Sequence, residues 1–255
     1  TSTGFNMSSG YTPLNNGSSS SSYIYMAIRR GSLAPPESGT EVFETKTYSG
    51  TGAAQTLTTS LNGSDMALTA NRSNSGALNP GAYDRLRGDE YLQTSNTSAA
   101  IASDSYGISV LSNKQNTVDV GNFASASGQT YVGQIFKRAP NFFDVVAYTG
   151  DGTYPRNIAH NLTTTPEMVI IKARNWSSGN WAVHHKDLGY SKVSYLDNTL
   201  GSANQTHVLT ASDASTFTVG SATGFSNYSN SASYNYIAYL FASLPGISKV
   251  GSYTG

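Results

Sequence analysis

Short apolar runs broken by Gly, Asn, Ser and Pro make up most of this 255-residue chain. Few stretches place apolar residues at i, i+3, i+4 and i+7, so the pattern predicts strands and turns rather than amphipathic helices. In YIAYLF (Tyr236–Phe241), Ile237, Tyr239 and Phe241 fall on one face and Tyr236, Ala238 and Leu240 on the other. Both faces are apolar, which predicts a central strand covered on both sides. MVIIKA (Met168–Ala173) reads the same way. Asn62-Gly63, between TLTTSL and DMALTA, predicts a tight hairpin because both residues tolerate positive φ. Strands recurring at about ten-residue spacing predict an all-β fold of antiparallel, jelly-roll-like sandwiches.

The pattern also repeats. YVGQIFKRAPNFFDVVAYTG (Tyr131–Gly150) aligns without a gap on YIAYLFASLPGISKVGSYTG (Tyr236–Gly255), and a looser version runs from YIYMAIRR (Tyr23–Arg30) to TYSG (Thr47–Gly50). Tyr48, Tyr148 and Tyr253 mark a spacing of about a hundred residues. Weaker matches keep the same order inside each unit: Met66–Arg72 with Met168–Arg174, Tyr91-Leu92 with Tyr195-Leu196, and Val118–Phe123 with Phe217–Phe225. The frame gives 1–46 as the last part of a preceding repeat plus a Pro-containing junction loop, 47–146 as one β-sandwich repeat and 147–255 as a second. Units of this size are large enough to be domains strung as beads, and the frame suggests a chain cut from a longer tandem array.

Composition narrows the function classes. Charged residues make up 12%, about half the usual share, and fifteen basic residues balance fifteen acidic ones. That balance gives no attraction to nucleic acid or an anionic membrane. No apolar stretch approaches the ~18 residues of a membrane helix, so no membrane insertion is expected. With no cysteine, disulfides, thiolate metal sites and Cys nucleophiles are excluded. The 11% of aromatic residues, 17 of them Tyr, argue against a disordered Ser/Thr/Gly-rich chain.

The phrases YIYMAIRRG…SGTEVF, IFKRAPNFFDVVAYTGDG, IAHNL…PEMVIIKAR…NWAVHH and YIAYLFASLPGISKVGSYTG resemble tandem domains of tail-fibre-like and other virion structural proteins of marine tailed bacteriophages, including those that infect cyanobacteria. The resemblance covers nearly the whole chain. It implies a non-enzymatic β-rich structural protein on the virion surface, in a tail fibre or appendage, with a part in host attachment. It also implies other virion proteins and copies of the same chain as partners, a trimer being the usual fibre arrangement. It supplies no catalytic residues and no cofactor. Two other readings stand beside it: a tail-fibre polysaccharide depolymerase, and a capsid decoration or tail-nozzle component without a receptor.

Candidate chemistry is sparse. His184 and His185 point to opposite strand faces and so cannot easily share an ion, and His160 and His207 lack a ligand pattern. No metal site is expected. Asp84, Asp89 and Glu90 form the densest carboxylate group, against the two flanking carboxylates a glycosidase needs. Asp84, Arg85 and Arg87 are read as a local ion-pair network on a turn. Arg29-Arg30 and Lys137-Arg138 close two copies of the repeated strand and are read as solvated ends or junction salt bridges. Trp181, beside Ala182 and Val183, is read as core. Trp176, beside Ser177, together with Tyr228 and Tyr234 in a Ser-rich loop, are the candidate contacts to a host-surface glycan, since aromatic rings beside Asn and Ser stack well on sugars.

Overall fold

The computed structural model describes residues 34–73, 79–88, 90–102, 117–120, 124–204, 208–220 and 226–254. Most of the stretch 1–46, expected to end an earlier repeat, and the pair Arg29-Arg30 lie outside the described residues. Those from Ala34 onward belong to one compact unit.

Every strand pairing among the described residues is antiparallel. The first half contains β1 (Phe43–Ser49), β2 (Gln55–Thr58), β3 (Met66–Asn71), β4 (Gly81–Asp84), β5 (Glu90–Gln93), β6 (Ile101–Ala102), β7 (Thr117–Val120) and β8 (Thr130–Phe136). The second contains β9 (Phe143–Thr149), β10 (Arg156–Ala159), β11 (Met168–Ala173), β12 (Ala182–His185), β13 (Lys192–Tyr195), β14 (Ala203–Asn204), β15 (Leu209–Ser212), β16 (Thr216–Val219) and β17 (Asn235–Phe241). The large sheet of the first half runs β1-β8-β3-β4-β5-β6, and that of the second runs β9-β17-β11-β12-β13-β14. The order is the same position by position. Each half adds a small sheet, β2-β7 in one and β10-β16-β15 in the other.

The repeated Tyr-Ser/Thr-Gly has a local cause. Tyr48 pairs with Tyr131 and Tyr148 with Tyr236, and each pair stacks, at 5.3 Å and 5.2 Å between centroids. The first tyrosine of each pair donates its hydroxyl to a loop carbonyl, Ala124 at 2.9 Å or Ser229 at 2.7 Å. The second accepts from a loop amide, Ala126 at 3.1 Å or Ser231 at 2.9 Å. Glycine follows because the same loop crosses over it. A Cβ on Gly50 would lie 2.0 Å from the Ala126 carbonyl oxygen, and one on Gly150 would lie 2.0 Å from that of Ser231.

Three cores separate four layers. In the second half, Ile158, Leu209, Phe217 and Val219 of the small sheet pack on Val169, Ile171, Tyr236, Ala238 and Leu240 of the large one. In the first half, Leu57 and Leu61 pack on Ala67, Tyr83, Tyr91 and Ile135. The middle core lies between the two large sheets. Met66, Ala82 and Leu92 of the first meet Phe143, Val145, Trp181, Ile237 and Tyr239 of the second. Strand β17 thus lies between β9 and β11 with both faces buried, the arrangement its two apolar faces predict.

The middle core joins equivalent faces. Phe43, Leu68 and Phe136 turn into it, as do their counterparts Phe143, Ile170 and Phe241. Phe136 and Phe241, which occupy the same place in the two sheets, touch edge to face at 6.0 Å. Equivalent faces meet in this way in an isologous dimer, not in a row of translated units. The halves are therefore joined more closely than beads on a string, because each inner face is closed by the other.

Two sequence expectations change at this level. Asn62-Gly63 does turn, with Gly63 at φ 89°, but it joins no hairpin: β2 pairs with β7, whereas β3 pairs with β4 and β8. The corner carries the chain from the small sheet to the large one. The match of Tyr91-Leu92 with Tyr195-Leu196 is off by two residues. Gly81 pairs with Gln93 and its counterpart Ala182 pairs with Tyr195, so Gln93 is the equivalent of Tyr195.

Gly150→Ala must displace the Ser231 carbonyl and is expected to destabilise the fold by about 1–3 kcal/mol. Tyr148→Phe, which removes one hydroxyl bond, should cost about 1 kcal/mol. Urea midpoints of the two variants check the ranking.

Candidate functional site

Trp176 follows β11, and Tyr228 and Tyr234 lie in the connection from β16 to β17. The fold brings these three glycan-contact candidates together. Trp176 stacks on Tyr234 at 5.4 Å with 14° between the planes, and meets Tyr228 edge on at 5.4 Å. Tyr195, at the end of β13, adds a fourth ring 6.0 Å from Tyr228. All four are half-buried against the outer core of the second half. Trp176 is therefore less open than its neighbour Ser177 suggests. Its six-membered ring also lies against Gly179, where a Cβ would come within 2.5 Å of Cε3.

Polar groups fix the cluster. Asn175 accepts from the Asn235 amide at 2.8 Å and donates to the Ser233 carbonyl at 3.2 Å. Asn180 accepts from the Tyr228 hydroxyl at 3.3 Å and donates to Asp197 at 3.3 Å. Burial, and then the Asp197 charge, push the Tyr228 hydroxyl above its ordinary pKa, so it stays a donor. Asn175, Ser177, Ser178 and Ser233 stand exposed around the rings.

Beneath the cluster lies a polar seam between the two large sheets. Lys172, in the apolar run of β11, is fully buried and donates to the carbonyls of Ala173 at 3.0 Å, Thr97 at 3.2 Å and Trp176 at 3.4 Å. Burial draws its pKa down to about 8 against the opposing pull of Asp197. Trp181 donates its indole N–H to the Gln93 carbonyl at 2.9 Å. Arg87 donates to Asp84 at 2.5 Å and to the Tyr239 hydroxyl at 3.0 Å, and that hydroxyl donates to Asp84 at 2.7 Å. Both charged side chains are fully buried. The local pair expected from DRLRG is present, and Asp84 also accepts from the Leu86 and Arg87 amides as a turn residue does. Its burial and its tie to Tyr239, 155 residues away, were not legible from the turn. Arg85 goes elsewhere, to Asp65 at 3.5 Å.

The other candidates have structural partners. Glu90 pairs with Arg174 at 2.8 Å across the two halves, and Asp89 lies outside the described residues. Arg138 pairs with Asp144 and donates its backbone amide to Asp65 at 2.8 Å. His160 accepts from the Leu162 amide at 3.2 Å and faces the Asp213 carbonyl at 3.2 Å. His184 is buried in a parallel stack on Tyr190 at 4.7 Å, and burial and then His185 lower its pKa to about 4. His207 lies outside the described residues. Among the described residues no group of three His, Asp or Glu side chains is placed to hold a metal ion. A cleft of ≈ 510 Å³ lies elsewhere, lined by Phe43, Phe136, Phe142 and Ile247 with Ser38, Thr40 and Gln134.

The model of one protein family matches residues 38–255. The chain belongs to the DUF7483 family, a domain of unknown function. The family's match spans both halves, as the middle core does. No curated protein and no solved structure matches the chain.

Two outcomes follow from the buried groups. Arg87→Met leaves Asp84 buried without its cation and is expected to cost about 3–5 kcal/mol. Both tryptophans lie in the second half. Their fluorescence midpoint should therefore shift together with the far-UV signal, although the substitution is in the first half. For His184, the folded pKa of about 4 lies below the ordinary value of about 6.5, so the unfolded chain binds more protons between the two. Stability is full above pH 6.5 and falls as the pH drops towards 4. His184→Phe, which keeps a ring on Tyr190, should flatten that slope in urea titrations at stepped pH.

Proposed function

We propose that the chain is a non-enzymatic structural module of a phage virion appendage, exposed on the particle, which contacts a host-surface glycan through Trp176, Tyr228 and Tyr234. One observation carries the reading. Three aromatic residues from two separate connections meet in one half-exposed cluster, bordered by Asn175, Ser177 and Ser233, on a block of packed β-layers. A sugar ring needs an apolar face to lie on and amide or hydroxyl groups for its own hydroxyls, and the cluster offers both. Its rings are held by Asn175, Asn180 and Gly179, so little side-chain freedom is lost on contact. The polar, low-charge surface suits a particle in saline water, where exposed charge is screened.

A shallow site of this kind binds weakly, near a millimolar Kd or about −4 kcal/mol, and works through copies. Several modules on one appendage raise avidity by about 10²–10⁴ without any new contact. Other copies of the chain, in a trimer or another closed arrangement, and neighbouring virion proteins are the partners this reading requires.

The test is binding of the chain, displayed in many copies on beads, to polysaccharide from host cells. Trp176→Ala and Tyr234→Ala should each weaken capture about threefold to tenfold per site, the loss of one aromatic contact. Capture that survives both substitutions unchanged excludes the cluster, and release of reducing sugar would replace the adhesive reading with a depolymerase.

A further inference from the structure

Strands β1 and β9 hold the same edge position in the two large sheets, but their outer edges differ. At the two ends of β1, the Lys137 amide donates to the Val42 carbonyl and the Gly50 amide to the Gln129 carbonyl, both at 2.8 Å. These bonds fix the alternation. Even-numbered residues turn their main-chain groups to β8, and Phe43, Thr45, Thr47 and Ser49 turn theirs away from it. At the end of β9 the Gly150 amide donates to the Tyr234 carbonyl at 2.9 Å, so Phe143, Val145, Ala147 and Thr149 are the outward residues there.

Neighbouring groups close most of the β9 edge. Phe143 exchanges main-chain bonds with Ala139, the Val145 amide donates to the Asp144 carboxylate at 2.9 Å, and Arg156 donates to the Thr149 carbonyl at 2.6 Å. On β1, Gln55 donates to the Ser49 carbonyl at 2.9 Å, the counterpart of the Arg156 bond. Glu44, the counterpart of Asp144, accepts instead from the Ser60 amide at 2.6 Å and hydroxyl at 2.9 Å. Among the described residues, the outward N–H and C=O groups of Phe43, Thr45 and Thr47 have no partner. The Thr45 and Thr47 side chains are exposed. Such a row of unpaired main-chain groups is a template for another strand.

The charges on β1 select which strand. Glu44 and Lys46 share one face of it, on either side of Thr45. When two copies of β1 lie antiparallel with Thr45 opposite Thr45, each Glu44 faces Lys46 of the other copy. The open groups of Phe43 then meet those of Thr47, and those of Thr45 meet each other. Centring the pair on Glu44 or Lys46 sets like charges opposite, and centring it on Phe43 or Thr47 leaves both charges facing uncharged residues. A lysine on an edge strand ordinarily guards it against pairing. The order Glu-Thr-Lys makes that guard accept one register.

We propose that β1 is an interaction strand that pairs antiparallel with β1 of a second copy of this chain about a two-fold axis at Thr45, joining two six-stranded sheets into one continuous sheet. The contact is isologous and closes as a dimer. Main-chain bonds supply the affinity, as in other β-strand additions, and the two Glu–Lys contacts supply the register. This inference stands apart from the glycan reading, and neither fails with the other.

Analytical ultracentrifugation of the 255-residue chain up to about 1 mM, the range of a weak single contact, should show a monomer–dimer equilibrium. Lys46→Glu sets carboxylates opposite each other at both ends of the pair and should weaken dimerisation about tenfold. Its melting temperature should be unchanged, because the Lys46 side chain is 38% exposed. Glu44→Lys sets ammonium groups opposite each other and should act alike. An equimolar mixture of the two variants restores every contact of opposite charge and should recover the dimer. The chain lacks cysteine, so a single thiol reports the register. Thr45→Cys places two thiols across the axis, at the ~5.5 Å Cα spacing of a bonded pair, and oxidation should give a covalent dimer. Thr47→Cys, whose two copies lie four residues out of line, should not. If Glu44→Lys folds poorly through loss of its Ser60 bonds, the cysteine variants decide alone. A wild-type chain that stays monomeric, a dimer indifferent to Lys46→Glu, a mixture of folded variants that fails to recover it, or equal cross-linking of the two cysteine variants would each overturn the proposal.

Discussion

The structure depends on the contact between the inner faces of the two large sheets. Each sheet has a small sheet over its outer face, and its inner face would stand in water without the other half. Strand β17 shows the dependence most plainly. Its six apolar residues are divided evenly between the outer and middle cores, so the second half cannot satisfy its own most apolar strand. Burying a large side chain stabilises by about 1.5–3 kcal/mol, and the middle core contains Phe143, Trp181, Ile237 and Tyr239 from the second half alone. The Asp84–Arg87–Tyr239 group sits in the same contact. It adds little net energy there, since desolvating two charges offsets most of their attraction, but it accepts only one alignment of the two sheets.

That contact also governs where the aromatic cluster can be. Lys172 and Trp181 each donate to a carbonyl of the first half, and Lys172 donates as well to the Trp176 carbonyl that opens the cluster's loop. The loop is tied through one buried ammonium to the sheet contact below it. Rings held in this way form a preformed surface. Two of the cluster's four residues have counterparts in the first half that are not aromatic: Gln129 stands for Tyr234 and Gln93 for Tyr195. Two halves with the same topology have thus diverged on their surface while sharing one core.

Much of the fold was legible in the sequence because the signals are local. Alternation in YIAYLF gave the two buried faces of β17, and the twice-written Tyr-Ser/Thr-Gly marked equivalent strands whose surroundings agree bond for bond. The errors were also of one kind. Asn62-Gly63 has the chemistry of a turn, but turn chemistry does not say which sheet receives the next strand. The pairing of Tyr91 with Tyr195 followed residue identity where hydrogen-bond register alone decides. Trp176, Tyr228 and Tyr234 were each singled out by type and neighbours, and Tyr195 was missed as their fourth member because nothing near it in the chain distinguishes it.

The sequence by itself determined the strand pattern, the turns, the repeat and the positions of the conspicuous aromatic and charged residues, all of which follow from side-chain chemistry within a few residues. Only the tertiary structure decided that the repeats share a core, that Arg87 and Lys172 are buried across it, and that rings some fifty residues apart become one cluster. Alternation says which face of a strand must leave water. It does not name the surface that covers that face, because any apolar partner of the right shape satisfies the hydrophobic effect, and the choice among partners rests on packing that no short stretch of sequence contains.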